Sequence, residues 1–154
     1  MGANDQPSDR VSSIDILLVE DSPSDAMLTM EALRAGCDAD SLHHVKDGVE
    51  AMEYLRKQGQ YSNALRPDVV LLDLNMPRKN GHEVLKEIRE DTELSSLPVI
   101  VLTTSGDEGD IARAYGMNVN CYITKPVDMK QFIDAMRSLG EFWFGWATLP
   151  RRTI

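Results

Sequence analysis

Val69-Val70-Leu71-Leu72 is an uninterrupted apolar run that enters from Pro67-Asp68 and stops abruptly at Asp73-Leu74-Asn75-Met76-Pro77. A run without polar alternation marks a strand buried on both faces, so the chain must cover it from two sides. An acid at the end of such a strand, rather than inside it, can meet solvent, a metal or a substrate. Taken alone, Asp73 reads equally well as the cap of a turn leading to a helix near Gly81.

The same strand-then-helix rhythm runs through the chain. Ile14 to Val19 stops at Glu20-Asp21, and Ser22-Pro23-Ser24 predicts a helix start. Met27, Leu28, Met30 and Leu33 then follow at near-helical spacing, with Gly36 as its cap. Leu42 to Val45 is a weaker strand, followed by Asp47-Gly48 and a helix bearing Val49, Met52 and Leu55. Gln58 to Arg66 reads as a polar loop. After the Asp73 strand comes a helix with Val84, Leu85 and Ile88, then Val99-Ile100-Val101-Leu102, ending in Thr103-Thr104-Ser105. The helix around Ile111 to Tyr115 lies among Gly106, Gly109 and Gly116, each costing about 1 kcal/mol against alanine if helical, and is expected to be marginal and movable. Cys121-Tyr122-Ile123 ends at Thr124-Lys125-Pro126. A last helix from about Asp128 should bury Met129, Phe132, Ile133, Met136 and Leu139. Five such pairs predict a parallel sheet covered by helices on both faces.

At 154 residues the chain is the size of one domain, and its net charge of -9 argues against nucleic-acid phosphates as a direct ligand. Met1 to Ser13 has neither a basic start nor an apolar core for a signal peptide and reads as a disordered arm; no stretch is long and apolar enough to span a bilayer. A cytoplasmic protein is expected. Cys37 and Cys121 match no metal-ligand spacing and read as reduced, structural residues.

In a parallel sheet the strands' carboxyl ends share one edge, where open α/β sheets bind ligands. Glu20 and Asp21, Asp73, Thr103 and Lys125 stand at four of those ends. Unit charges at about 4 Å and an effective dielectric near 20 interact by roughly 4 kcal/mol, so three bare carboxylates call for a cation. Lys125 neutralises part of the field, and hard oxygen donors favour Mg²⁺ for the rest. A carboxylate, Mg²⁺, a hydroxyl and an ammonium suit phosphoryl transfer, with Asp73 as nucleophile.

Glu20-Asp21, Asp73 with Met76-Pro77 and Gly81, Thr103 and Lys125-Pro126 together resemble the receiver domains of two-component response regulators, over roughly Ile14 to Gly140. The resemblance implies a flavodoxin-like (βα)5 fold with strand order 2-1-3-4-5. It implies that Asp73 accepts a phosphoryl group from a sensor histidine kinase, with no other enzymatic activity. Asp21, Asp73 and the main-chain carbonyl of Asn75 would ligate Mg²⁺, Glu20 would act through water, and Thr103 and Lys125 would contact the phosphoryl oxygens. Thr103 and Tyr122 stand at the family's switch positions, although Tyr122 reads equally as a half-buried strand aromatic. Lys125-Pro126 would be a cis bond. Thr104 departs from the small residue many receivers carry there.

Phe142, Trp143, Phe144 and Trp146 follow the last helix in one cluster, and residues 141–154 are expected to form an interface, most simply a homodimer. Packing on the same chain is the plainer alternative. With the chain ending at Ile154, a stand-alone regulator is expected; its Phe-Trp tail and long Gln58 to Arg66 segment resemble single-domain regulators paired with bacterial phytochromes. His43, His44 and His82 read as solvated and outside the site, so the phosphodonor histidine comes from another protein. Two rivals remain: a phosphorylation-independent scaffold, and an aspartate-based phosphatase of the dehalogenase type, which needs a second acid where Asn75 stands.

Overall fold

The computed structural model describes residues 14–36, 41–76, 78–143 and 148–150. The expected arm at 1–13, Cys37, Pro77, Phe144 and Trp146 lie outside them. Five strands, β1 (Asp15–Val19), β2 (Ser41–Val45), β3 (Val69–Leu72), β4 (Val99–Thr103) and β5 (Cys121–Thr124), alternate with five helices. These are α1 (Pro23–Gly36), α2 (Gly48–Leu55), α3 (Gly81–Glu90), α4 (Glu108–Gly116) and α5 (Met129–Glu141). The sheet is parallel throughout, in the order β2-β1-β3-β4-β5. This is the expected flavodoxin-like arrangement.

Side-chain alternation sorts the strands into two cores. Leu17, Val19, Val70, Leu72, Val99 and Val101 meet Met52, Leu55, Val84, Leu85, Ile88 and Ala114 from α2, α3 and α4 on one face. Ile16, Leu18, Val69, Leu71, Ile100 and Leu102 meet α1 and α5 on the other, through Ala26, Leu33, Phe132, Met136 and Leu139. Each fully buried Val, Leu or Ile contributes about 1.5–3 kcal/mol, so burying the sheet from both sides is what fixes register. The register decides the site: Val19 is opposite Leu72, so Glu20 and Asp73 emerge side by side, and Thr103 is opposite Thr124, so Lys125 follows next to them.

Local chemistry sets the helix starts. Asp47 and Asp107 accept the N–H of Glu50 and Asp110, and Asn80 with Glu83 forms a reciprocal capping box. The glycines near α4 sit in its first turn, at its end or just outside it, where their cost is smallest; the helix is a full two turns, with only Ala114 buried among its residues.

Four expectations are corrected. Gln58 to Arg66 is not simply a polar loop, because a tight turn at Gly59–Tyr61 folds Tyr61 onto the core and lets its hydroxyl donate to Glu50. Met27 on α1 and Met129 on α5 are exposed, since Ala26, Thr29 and Leu33 take the inward stripe of α1 and Met129 starts its helix beyond the covered sheet. No peptide bond among the described residues is cis. Lys125-Pro126 is therefore trans, the lower-energy form, and Lys125 reaches the carboxylates from it.

Candidate functional site: an acid cluster at the sheet's carboxyl edge

Glu20 leaves β1 with its N–H donating to the Val45 carbonyl at 3.1 Å, which directs its side chain across the sheet edge. The residue is 2% exposed; its carboxylate accepts from Lys125 Nζ at 2.7 Å and from the Ser22 N–H at 3.2 Å. Asp73, 8% exposed, donates its N–H to Val19 O at 3.1 Å. One carboxylate oxygen from each of Glu20, Asp21 and Asp73 lies within 4.8 Å of the others. Asp21 is exposed, so the cluster opens to solvent on that side.

Gly81 explains how α3 comes so close to this cluster. A Cβ there would stand 2.4 Å from the Asp73 carbonyl oxygen and 2.6 Å from Leu74 Cα, so only glycine allows the approach. Gly48 plays the same part at α2, where a Cβ would meet the Lys79 carbonyl at 2.3 Å. Arg78, at φ 64°, donates from Nε at 3.0 Å and from a terminal nitrogen at 2.5 Å to buried Asp47. That clip ties the loop after Asp73 to the start of α2.

On the other side, Thr103 is fully buried, with its Oγ1 3.5 Å from Asn75 Nδ2 and 3.4 Å from the Ser105 N–H. Asn75 also donates its backbone N–H to Asp73 Oδ1 at 3.2 Å. The Lys125 N–H donates to Thr103 O at 2.7 Å, and the Tyr122 hydroxyl donates to Ser105 O at 2.8 Å. Glu20, Asp21, Asp73, Asn75, Thr103, Lys125 and Tyr122 are thus brought to one edge. Phe142 and Trp143 lie elsewhere, at the end of α5, with ring centroids 6.0 Å apart.

Electrostatics favour an added positive charge among these carboxylates. Burial pushes the Glu20 carboxyl up to about 7; the Asp73 charge adds to the effect, and Lys125 opposes it without cancelling it. Burial works against the Lys125 ammonium, yet its hydrogen bond and attraction to Glu20, with help from Asp73 and Asp25, push its pKa up. Burial also raises the Tyr122 hydroxyl. A proton on Glu20 or a cation among the three carboxylates relieves the same repulsion, and an all-oxygen donor set suits a hard divalent ion.

Several participants carry no sequence signal of their own. Asp25, in the first turn of α1, is 3.4 Å from Lys125 Nζ, so the ammonium sits between Glu20 and Asp25 rather than on Asp73. Its place in the first turn after Pro23 is ordinary for any helix. Of the three histidines expected to be solvated, His43 and His44 are exposed, and only His82 departs from the expectation. His44 Nε2 is 2.7 Å from the Glu20 carbonyl oxygen, and His82 is buried against Asp110. A cleft of about 530 Å³ lies away from the acids, beside the amino ends of β3 and β4, lined by Arg56, Arg66, Asp91 and Pro98 among others.

The family described as "Response regulator receiver domain" matches residues 16–137. Response regulator Rcp1 of Synechocystis sp. is 44% identical over 135 residues, covering 88% of this chain and 92% of that protein. The crystal structure of the phosphorylated cyanobacterial phytochrome response regulator RcpA is similar with a TM-score of 0.86 and 48% identity, covering 90% of this chain and 99% of that one. The Mn²⁺-bound form of Rcp1 is similar with a TM-score of 0.86 and 43% identity, covering 90% and 100% of the two chains.

Proposed function

We propose that this chain, which belongs to the response regulator receiver domain family, works by accepting a phosphoryl group on Asp73. It is a response regulator that signals through phosphorylation. The observation that carries the assignment to Asp73 is its place: at the end of β3, nearly buried, with an oxygen within 4.8 Å of Glu20 and Asp21 oxygens, beside the Lys125–Glu20 pair.

An Asp73 carboxylate oxygen attacks phosphorus of a phosphohistidine; the P–O bond forms as the P–N bond breaks, and the imidazole leaves with a proton from solvent. Receiver domains bind a divalent ion; Asp21, Asp73 and the Asn75 carbonyl would hold Mg²⁺ here, with Glu20 acting through water. That ion supplies charge neutralisation for the transferring oxygens. Lys125 contributes the second positive charge, shared at rest between Glu20 and Asp25. The Thr103 hydroxyl follows the new oxygens, and Tyr122, bound to the next loop through Ser105, moves with it.

Acetyl phosphate with Mg²⁺ should label the protein with an acid-stable, alkali-labile phosphoryl group, and Asp73→Asn should take none. Label on Asp73→Asn would sink the assignment and favour another acceptor. A phosphorylation-independent scaffold predicts no labelling of either protein. A dehalogenase-type phosphatase is disfavoured by Asn75, whose amide faces Thr103 where a general acid would be needed.

The partner that fits is a sensor histidine kinase of the bacteriophytochrome kind, supported by the likeness to RcpA and to the bacteriophytochrome response regulator AtBRR. Residues 14–140 would act as the receiver in the cytoplasm, and 141–154 as a homodimer surface; no helix among the described residues is long and apolar enough to cross a membrane. Phe142 is 58% exposed, whereas Trp143 packs partly on the α1–α5 core. Phe142→Ala should therefore weaken a dimer with little cost in stability, read by sedimentation velocity. An unchanged mass distribution would return the tail to packing on its own chain.

A further inference from the structure

His82, the second residue of α3, is 6% exposed. Its turn is seated on the phosphoacceptor through Gly81, whose N–H also donates to Leu74 O at 3.0 Å. Across the helix interface, His82 Nε2 lies 3.3 Å from Asp110 Oδ1 on α4. The second oxygen of Asp110 accepts the Ser105 hydroxyl at 2.6 Å. The Ser105 carbonyl in turn accepts the Tyr122 hydroxyl, and its N–H lies near Thr103 Oγ1. One chain of polar contacts therefore runs from the backbone beside Asp73, through α3 and α4, to the switch aromatic.

The His82 ring has lost its water without gaining full compensation. Nδ1 is buried with no partner among the described residues, where the bond to Asp110 is the polar contact the ring keeps. A buried nitrogen left unmatched is costly, and an apolar side chain would pack here without that cost. The Asp110 carboxylate, gripped by His82 on one oxygen and Ser105 on the other, is fixed in orientation in a way that neither bond alone would achieve.

We propose that His82 is a positioning residue for the switch: by orienting Asp110 and hence Ser105, it presents the Ser105 carbonyl to Tyr122 and holds that ring against the core. The proposal rests on the reading of Asp73 as phosphoacceptor and Tyr122 as switch. Phosphorylation and α3 then bias the same loop from two sides, Thr103 from the sheet and His82 from the helix.

The full-length protein labelled with 3-fluorotyrosine tests this by ¹⁹F NMR, with the Tyr122 signal assigned by Tyr122→Phe. In the unphosphorylated protein, His82→Leu should move that signal toward the position of a solvent-exposed tyrosine and slow acetyl phosphate labelling roughly tenfold, the low end for loss of one hydrogen bond to a charged acceptor. His82→Gln, which can still donate to Asp110, should restore both. Should His82→Leu fail to fold, Ser105→Ala breaks the same chain at its hydroxyl and should shift Tyr122 alike. A folded His82→Leu with the wild-type Tyr122 signal, or Gln and Leu variants that behave identically, would overturn the proposal. The Tyr122 signal is read before any phosphoryl group is present. A wild type whose spectrum ignores beryllofluoride with Mg²⁺ would instead refute the phosphoacceptor reading.

Discussion

Replacing Glu20 by glutamine in metal-free protein is expected to stabilise it at neutral pH and above, and the pH at which the gain appears is set by the structure. Burial pushes this carboxyl from its ordinary 4.5 up to about 7, so the folded state holds its proton more tightly than the unfolded chain does. The stability this contributes is complete below pH 4.5 and is lost as pH rises through 7. A displacement of that size corresponds to up to about 3 kcal/mol, since each pKa step is worth about 1.36 kcal/mol. Glutamine cannot ionise, and its amide oxygen can still accept the Lys125 ammonium that Glu20 now takes at 2.7 Å. Urea unfolding of both proteins in EDTA at pH 5, 6, 7 and 8 gives the difference directly. It should grow in favour of Glu20→Gln and level off above pH 7 at up to about 3 kcal/mol, which thermal melts of the same proteins would read as a shift of roughly 6–12 °C for a domain of this size. Saturating Mg²⁺ should shrink the difference, because a cation beside Asp21 and Asp73 favours the ionised carboxylate. A difference that stays flat from pH 5 to 8 would refute the reasoning and show that the Lys125 pair, rather than burial, governs Glu20.

Two further substitutions test the supports of the site. Gly81→Ala forces a methyl group against the Asp73 carbonyl and Leu74 Cα and should cost about 3 kcal/mol in urea unfolding, with a matching loss of Mg²⁺-dependent labelling. Arg89→Ala removes a guanidinium that donates to the carbonyls of Ser95, Leu97 and Asn118 and to the Asn120 side chain. It should cost about 2 kcal/mol while leaving labelling by acetyl phosphate unchanged.

The sheet was legible because each strand is a continuous apolar run that a polar residue ends, and burial on both faces leaves few other uses for Val99-Ile100-Val101-Leu102. The acid cluster followed from strand ends alone, since a parallel register carries them to one edge. What the chain hid was set by rotation and packing. His82 sits between Gly81 and Glu83 and looks like surface, yet it is three residues before buried Leu85 and on the same helix face. Asp25 looks like any acid in a first helical turn until Lys125 arrives from the far end of the sequence. Tyr61 was lost in a polar stretch because one aromatic in nine residues has no period. The exposed Met27 and Met129 show the reverse error, in which an apolar residue at near-helical spacing falls outside the face that small residues occupy.

The Asp47–Arg78 clip gives the carboxyl edge two unequal halves. Around β2, β1 and β3 the loops are cross-braced: Arg78 grips Asp47, Gly48 leaves no room against Lys79, and His44 holds the backbone of Glu20. Around β4 and β5 the loops are tied chiefly through Ser105, which bonds Asp110 and Tyr122, and α4 buries only Ala114. Asp73 lies on the seam between them. Under the proposed phosphorylation of Asp73, stress there would meet a stiff wall on one side and a more compliant one on the other, so the deformation would run outward through α4 and Tyr122.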